Sequence, residues 1–192
     1  MLKPLLNCRE MANFGLNFFE KSQLRKRMRD QLTSLDQTER NRRSLAICHK
    51  LSRHFARIQS IALFASTMIE PNLDLLWELR LLKGKRLFYP KCDREEMQFF
   101  ESGSPIELQL GRFGIREPRK VITSTIPDLI VVPGLAFTPD GRRLGRGAGF
   151  YDRFLANLPT RTCKIGVCFD FQIVAEIACE KHDIPVDRIV TA

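Results

Sequence analysis

Apolar residues recur along this chain in two rhythms, and the change from one to the other marks the organisation of the fold. Over residues 20–57 the spacing is helical. Leu24, Met28 and Leu32 fall on one face, and Leu45, Cys48, Leu51 and Phe55 on another, so two helices are predicted. Asp36-Gln-Thr-Glu39 between them has the form of a capping box that opens the second helix. Beyond residue 57 the apolar positions gather into short runs, and strands are predicted over 61–65, 86–89, 129–132, 165–169 and 188–191, with 97–100 as an edge strand. Helices are predicted over 73–82 and 172–179 and from near Gly149, and residues 103–118 read as a loop punctuated by Gly and Pro. Apolar strands that alternate with helices are covered on both sides. The expectation is a single three-layer α/β domain, with a mostly parallel sheet and helices on both faces. It spans residues 20–192, after an N-terminal leader (residues 1–19) whose order the sequence leaves open.

Composition and charge narrow the chemistry. Hydrophobic residues make up 44% of 192, enough for a sizeable core, which excludes a disordered or fibrous chain. The net charge of +9 favours anionic partners, and residues 20–57 alone hold eleven Lys and Arg against four Asp and Glu. The six cysteines have no C-x-x-C spacing and the three histidines lie apart, which argues against a zinc site or redox dithiol. No apolar run approaches the length of a membrane span, so the expectation is a cytoplasmic protein without a membrane partner.

The most informative stretch is Gly141-Arg-Arg-Leu-Gly-Arg-Gly-Ala-Gly-Phe-Tyr-Asp-Arg153, which follows a predicted buried strand and leads into a helix. In parallel sheets, ligands collect at the carboxyl ends of strands. Gly145, Gly147 and Gly149 let the backbone approach a ligand closely, and Arg142, Arg143 and Arg146 supply charge for phosphate. The known nucleotide loops do not fit: there is no G-x-x-x-x-G-K-[ST], and Phe150 stands at the third glycine of G-x-G-x-x-G. A phosphate cradle is favoured over a flexible turn. Asp152 beside a bound phosphate implies Mg²⁺, with Asp187 as a second carboxylate; a first-turn helix acid and an ordinary turn residue are the alternatives.

Taken whole, the motif resembles the signature of the 5-formyltetrahydrofolate cyclo-ligase (5,10-methenyltetrahydrofolate synthetase) family. Val132-Pro-Gly-Leu-Ala-Phe137, Lys21-Ser-Gln-Leu-Arg25, Gly114-Ile-Arg-Glu-Pro118 and Asp183-Ile-Pro-Val-Asp187 extend the resemblance over residues 21–191. It implies the scaffold of sugar-phosphate isomerases and CoA transferases. The implied reaction is ATP-dependent closure of 5-formyltetrahydrofolate to 5,10-methenyltetrahydrofolate, with release of ADP and phosphate. By position, Lys21, Arg25, Arg143, Leu144, Gly145, Arg146, Gly147, Ala148, Gly149, Phe150 and Tyr151 would bind ATP, and Asp152 and Asp187 would hold Mg²⁺. Ala65, Glu70 and Phe113, with 146–150, would bind the folate, free or polyglutamylated, and Arg146 would stabilise the transferring phosphoryl group. A monomer or weak dimer is expected. The sequence departs from the family at Ala148 for Gly, Phe150 for Tyr and Arg116 for Pro. Two rivals remain: a basic nucleic-acid module on residues 21–57, for which no motif is present, and an isomerase or acyl-CoA transferase on a related scaffold.

Overall fold

The computed structural model describes residues 8–93, 96–120, 126–180 and 182–192. Helix α1 (Cys8–Ser34) reaches back into the segment read as a leader. It is followed by α2 (Gln37–Ser52), whose first turn is capped by Asp36, with Oδ2 accepting from the N–H groups of Thr38 and Glu39. The other half of the expected capping box is missing, because Glu39 pairs forward with Arg42 and Arg43. Arg40, buried at this joint, donates to the Leu32 and Leu35 carbonyls at 2.7 and 2.9 Å. A cation thus closes the carboxyl end of α1, where helix carbonyls lack partners.

The remaining elements are β1 (Ser60–Ala62), α3 (Asp74–Glu78), β2 (Arg86–Asp93), β3 (Glu96–Glu101), β4 (Leu108–Leu110), β5 (Arg116–Pro118), β6 (Leu129–Pro133), β7 (Ala136–Phe137), β8 (Arg143–Leu144), α4 (Phe150–Leu155), β9 (Cys163–Cys168) and β10 (Arg188–Thr191). Six strands form the central sheet in the order β10-β9-β6-β1-β2-β3. All neighbours are parallel except β3, which runs antiparallel to β2 at the edge. Alternate residues serve two cores. Ile61, Leu87, Leu129, Val131 and Ile165 face α1, α2 and α3, with Met28, Leu32, Ile47 and Leu51 packed against them. Ala62, Phe88, Ile130 and Val132 face α4 and the β7–β8 hairpin, through Leu155 and Phe137. The expected three-layer arrangement is therefore present, and continuous apolar strands follow from it because both faces are dry.

Three local expectations are corrected. The helix expected over 73–82 stops at Glu78. Arg80 adopts a positive φ of 56°, Leu81 N–H bonds Leu76 C=O and Arg80 N–H bonds Trp77 C=O, a Schellman closure. The helix expected over 172–179 does not form. A 3₁₀ turn at Asp170–Gln172 gives way to extended chain, in which β-branched Ile173 bridges Phe137 and Val174 N–H donates to Phe137 C=O. The span 103–118 is more than a loop, since β4 and β5 pair within it as a small hairpin. No helix among the described residues is long and apolar enough to cross a membrane.

Candidate active site

Strand β6 ends at Pro133, at the carboxyl edge of the sheet, and the chain then doubles back as the β7–β8 hairpin. Leu135 N–H bonds the Leu144 carbonyl at 2.7 Å, which brings residues 145–149 out again at that same edge. Gly147 and Gly149 take φ values of 112° and 69°, so the turn into α4 uses conformations costly to residues with a Cβ. The loop is braced from three sides. Arg25 Nε and Arg29 of α1 donate to the Gly145 and Arg146 carbonyls, at 3.1 and 3.4 Å. Buried Gln172 donates to the Gly134 and Leu135 carbonyls at 2.9 and 3.0 Å. Arg153 of α4 donates to the Ala148 carbonyl at 3.0 Å.

Buried Arg143 points inward and binds Asp152 Oδ1 at 2.7 Å, with the Tyr151 ring 5.6 Å beneath its guanidinium. Burial pushes the Tyr151 hydroxyl well above its ordinary pKa. Arg143 and Asp152 thus neutralise each other, and Leu144 beside them is buried, with its carbonyl held by Leu135 N–H. Arg146 instead extends across the cleft, reaching Glu70 Oε1 and Thr67 Oγ1, both at 2.9 Å. Glu70 and Ala65 follow the carboxyl end of β1. That connection is held by Ser66 Oγ, which donates to Pro71 C=O and accepts from Leu73 N–H, and by Ser44 of α2, which accepts from Asn72 N–H. The structure therefore brings Arg146, Glu70 and the glycine loop together.

Phe113 stands at the rim, 60% exposed and with a positive φ of 66°, its ring 6.0 Å from that of Phe150. A bulky residue held in the left-handed region is strained, and such strain gathers at ligand sites. The departures from the family pattern have local roles. Phe150 carries Arg153 over its ring at 5.2 Å, and Arg116 pairs with Asp74 at 2.8 Å, tying β5 to α3.

Lys21 does not face the loop directly. Its buried ammonium is held by Glu180 Oε1 and Asp183 Oδ2, each at 2.8 Å. Burial alone depresses its pKa, and the hydrogen bonds and charges of Asp183 and Glu180 outweigh that, so the pKa is raised. Burial works against the Asp183 carboxylate as well, but Lys21 and the Glu180 N–H outweigh it and hold the pKa low.

The two acids expected to share Mg²⁺ are not brought together. Asp187 sits at the amino end of β9, accepting from Lys164 N–H at 2.7 Å and pairing with its ammonium at 2.9 Å, while Asp152 lies by the loop at the opposite edge. The parallel register explains this, since Arg188 and Ile165 pair where both strands begin. These residues do not fit one divalent cation, and no cluster of three or more acids, His or Cys suited to a metal occurs among the described residues. Asp183, by contrast, lies on the loop's side, where it lines with Asp140, Arg142 and Arg143 a cavity of about 160 Å³. Sequence reasoning missed it, along with Thr67 and Gln172. Only Thr67 left a trace, its T-x-x-E spacing to Glu70. A second concavity of about 610 Å³, beside Glu101 and Ile106, contains none of the expected residues.

Fold and loop define the class: an α/β domain whose glycine-arginine loop follows a central parallel strand and faces a carboxylate from its neighbour. Within that class the chain belongs to the 5-formyltetrahydrofolate cyclo-ligase family, whose sequence profile matches residues 18–192. It is 31% identical over 185 residues to the 5-formyltetrahydrofolate cyclo-ligase of Mycolicibacterium smegmatis, covering 89% of this chain and 93% of that one. To the mouse protein of the same name it is 29% identical over 186 residues, covering 87% and 91%. The solved 5,10-methenyltetrahydrofolate synthetase of Aquifex aeolicus is similar in structure, with a TM-score of 0.78 at 35% identity and 89% of each chain covered.

Proposed function

We propose that the chain uses MgATP to close 5-formyltetrahydrofolate to 5,10-methenyltetrahydrofolate. The observation that carries this reading is the 2.9 Å contact between Arg146 and Glu70, which joins the glycine-arginine loop to a strand-end carboxylate in a member of this family. A carboxylate matches the N–H and NH₂ edge of a pterin by two-point hydrogen bonding, and a glycine loop with an unburied arginine suits a phosphoryl group. Phe113 and Phe150 offer an aromatic rim for the folate.

In the reaction the formyl oxygen forms a bond to the γ-phosphorus as the bond to the β-phosphate oxygen breaks, and ADP leaves. N10 then adds to the activated carbon, losing its proton, and phosphate departs with the former formyl oxygen. The protein's work is alignment and charge neutralisation. Arg146 leaves Glu70 to meet the transferring phosphoryl group, and Glu70 accepts from the pterin in its place. Arg25 and Arg29 keep the loop carbonyls turned away from the phosphates. Lys21 spends two of its three N–H donors on Glu180 and Asp183, which leaves one for a phosphate. Mg²⁺ enters as part of the nucleotide. The reading includes a cytoplasmic protein, a monomer or weak dimer, acting on free or polyglutamylated folate. The test is the absorbance of the methenyl product formed from 5-formyltetrahydrofolate. Formation only with MgATP is expected, and no product under any condition would overturn the reading.

A further inference from the structure

We propose that Thr67 is a positioning residue that sets the Glu70 carboxylate for the folate and steadies it while Arg146 is exchanged for substrate; this rests on the cyclo-ligase reading. Thr67 touches both partners of the contact that spans the cleft. Its N–H and hydroxyl donate to Glu70 Oε2 at 3.0 and 2.8 Å, and its Oγ1 accepts from Arg146 at 2.9 Å. Glu70 N–H closes the same turn on the Thr67 carbonyl at 3.2 Å. On its own this would be a local turn closed by its own side chains. The guanidinium arriving from far along the chain makes it part of the cleft.

The chemistry follows from counting acceptors. A carboxylate offers about four lone-pair directions, and Thr67 occupies two of them on Oε2. Oε1 is left facing the cleft, where Arg146 now donates. An N–H and NH₂ edge presents the same kind of donors as a guanidinium, so an arriving pterin replaces Arg146 at Glu70 and frees it for the phosphoryl group. When Arg146 goes, Glu70 loses one of its three fixed partners. Thr67 holds the carboxylate in its orientation through that exchange.

The experiment compares Thr67→Val, which keeps shape and removes the hydroxyl, with Thr67→Ser, which keeps the hydroxyl. Steady-state methenyl formation is measured at saturating MgATP with 5-formyltetrahydrofolate varied, and binding of the same folate without nucleotide is titrated by calorimetry. Losing a hydrogen bond to a charged group predicts that Thr67→Val raises both KM and Kd for the folate about tenfold. The loss falls on ground-state and transition-state binding alike, so kcat stays within about threefold. Thr67→Ser should restore both constants to within about threefold of wild type. Wild-type KM in Thr67→Val, a fall in kcat at unchanged KM, or failure of serine to rescue would each overturn the assignment. A wild-type protein that forms no methenyl product overturns the cyclo-ligase reading itself. A wild-type protein that forms it, alongside an indistinguishable Thr67→Val, overturns the role of Thr67 alone.

Discussion

Two cations read as nucleotide ligands, Lys21 and Arg146, are both ion-paired in the free protein, yet their surroundings differ. The Lys21 side chain is 7% exposed and gripped by two acids, Glu180 and Asp183. The Arg146 side chain is 45% exposed and meets a single acid, Glu70, which is itself 13% exposed but keeps two hydrogen bonds from Thr67. Breaking a buried pair strands charge away from water, whereas a cation already half in water leaves at little cost when its acid keeps other donors. The same chemical contact therefore fastens structure in one region and is open to exchange in the other. Burial, rather than distance, separates them.

The largest expected effect tests the fastened side. Lys21→Met should cost about 3 kcal/mol, the low end for a broken buried pair, because both acids keep some contact with solvent. Thermal or denaturant unfolding measures this, with a fall in Tm on the order of 10 °C. The pH dependence has a definite sign. The Lys21 pKa is raised above its ordinary 10.5, so its contribution is complete below that value and fades as pH climbs through the folded-state pKa. The Asp183 pKa is depressed below 3.8, so its share is present above that value and is lost as pH falls through the folded-state pKa. The stability gap between wild type and Lys21→Met should be flat near neutrality and close at both extremes. A gap under about 1 kcal/mol at pH 7 would mean the buried pair is as exchangeable as the exposed one.

Arg146→Ala tests the other side. Removing a donor that acts mainly in the transition state should lower kcat by roughly 10²-fold. With Arg146 half in water and Glu70 still held by Thr67, its loss should move Tm by less than about 4 °C. Unchanged turnover, or a large fall in Tm, would erase the contrast. The smallest effect is expected at Asp187, whose partner Lys164 stands at the amino edge of the sheet. Asp187→Asn should cost under about 1 kcal/mol and leave the Mg²⁺ titration of activity where it is. A raised Mg²⁺ requirement would return Asp187 to the site.

Much of this was legible in the sequence, for reasons the structure makes plain. Strands apolar at every position announce a sheet covered on both sides, and Ile130 and Val131 do face opposite cores. Asp36 announced the start of α2 because a cap is a local arrangement. Local spacing misled at residues 172–179, where Gln172 and Ile173 are committed to partners near Pro133 and Phe137 that no short window contains. The same limit applies to Asp187, which the family resemblance, rather than local spacing, placed beside Mg²⁺. Two aspartates four residues apart flank the turn before β10, and only the strand register decides that Asp183 faces Lys21 while Asp187 faces the far edge. Thr67 escaped notice because its value depends on Arg146, a contact made only by the folded chain.

The Arg40 clamp on the last turn of α1 has a mechanical consequence. A helix fixed at one end is a graduated rod, and Lys21, Arg25 and Arg29, four residues apart, are marks along one of its edges. Those marks meet Asp183, the Gly145 carbonyl and the Arg146 carbonyl in turn. Inserting a single residue between Arg29 and the clamp would rotate the whole edge by about 100°, one residue's share of a helical turn. All three would swing away from their partners at once, so the length of that short stretch sets whether the cleft is assembled at all.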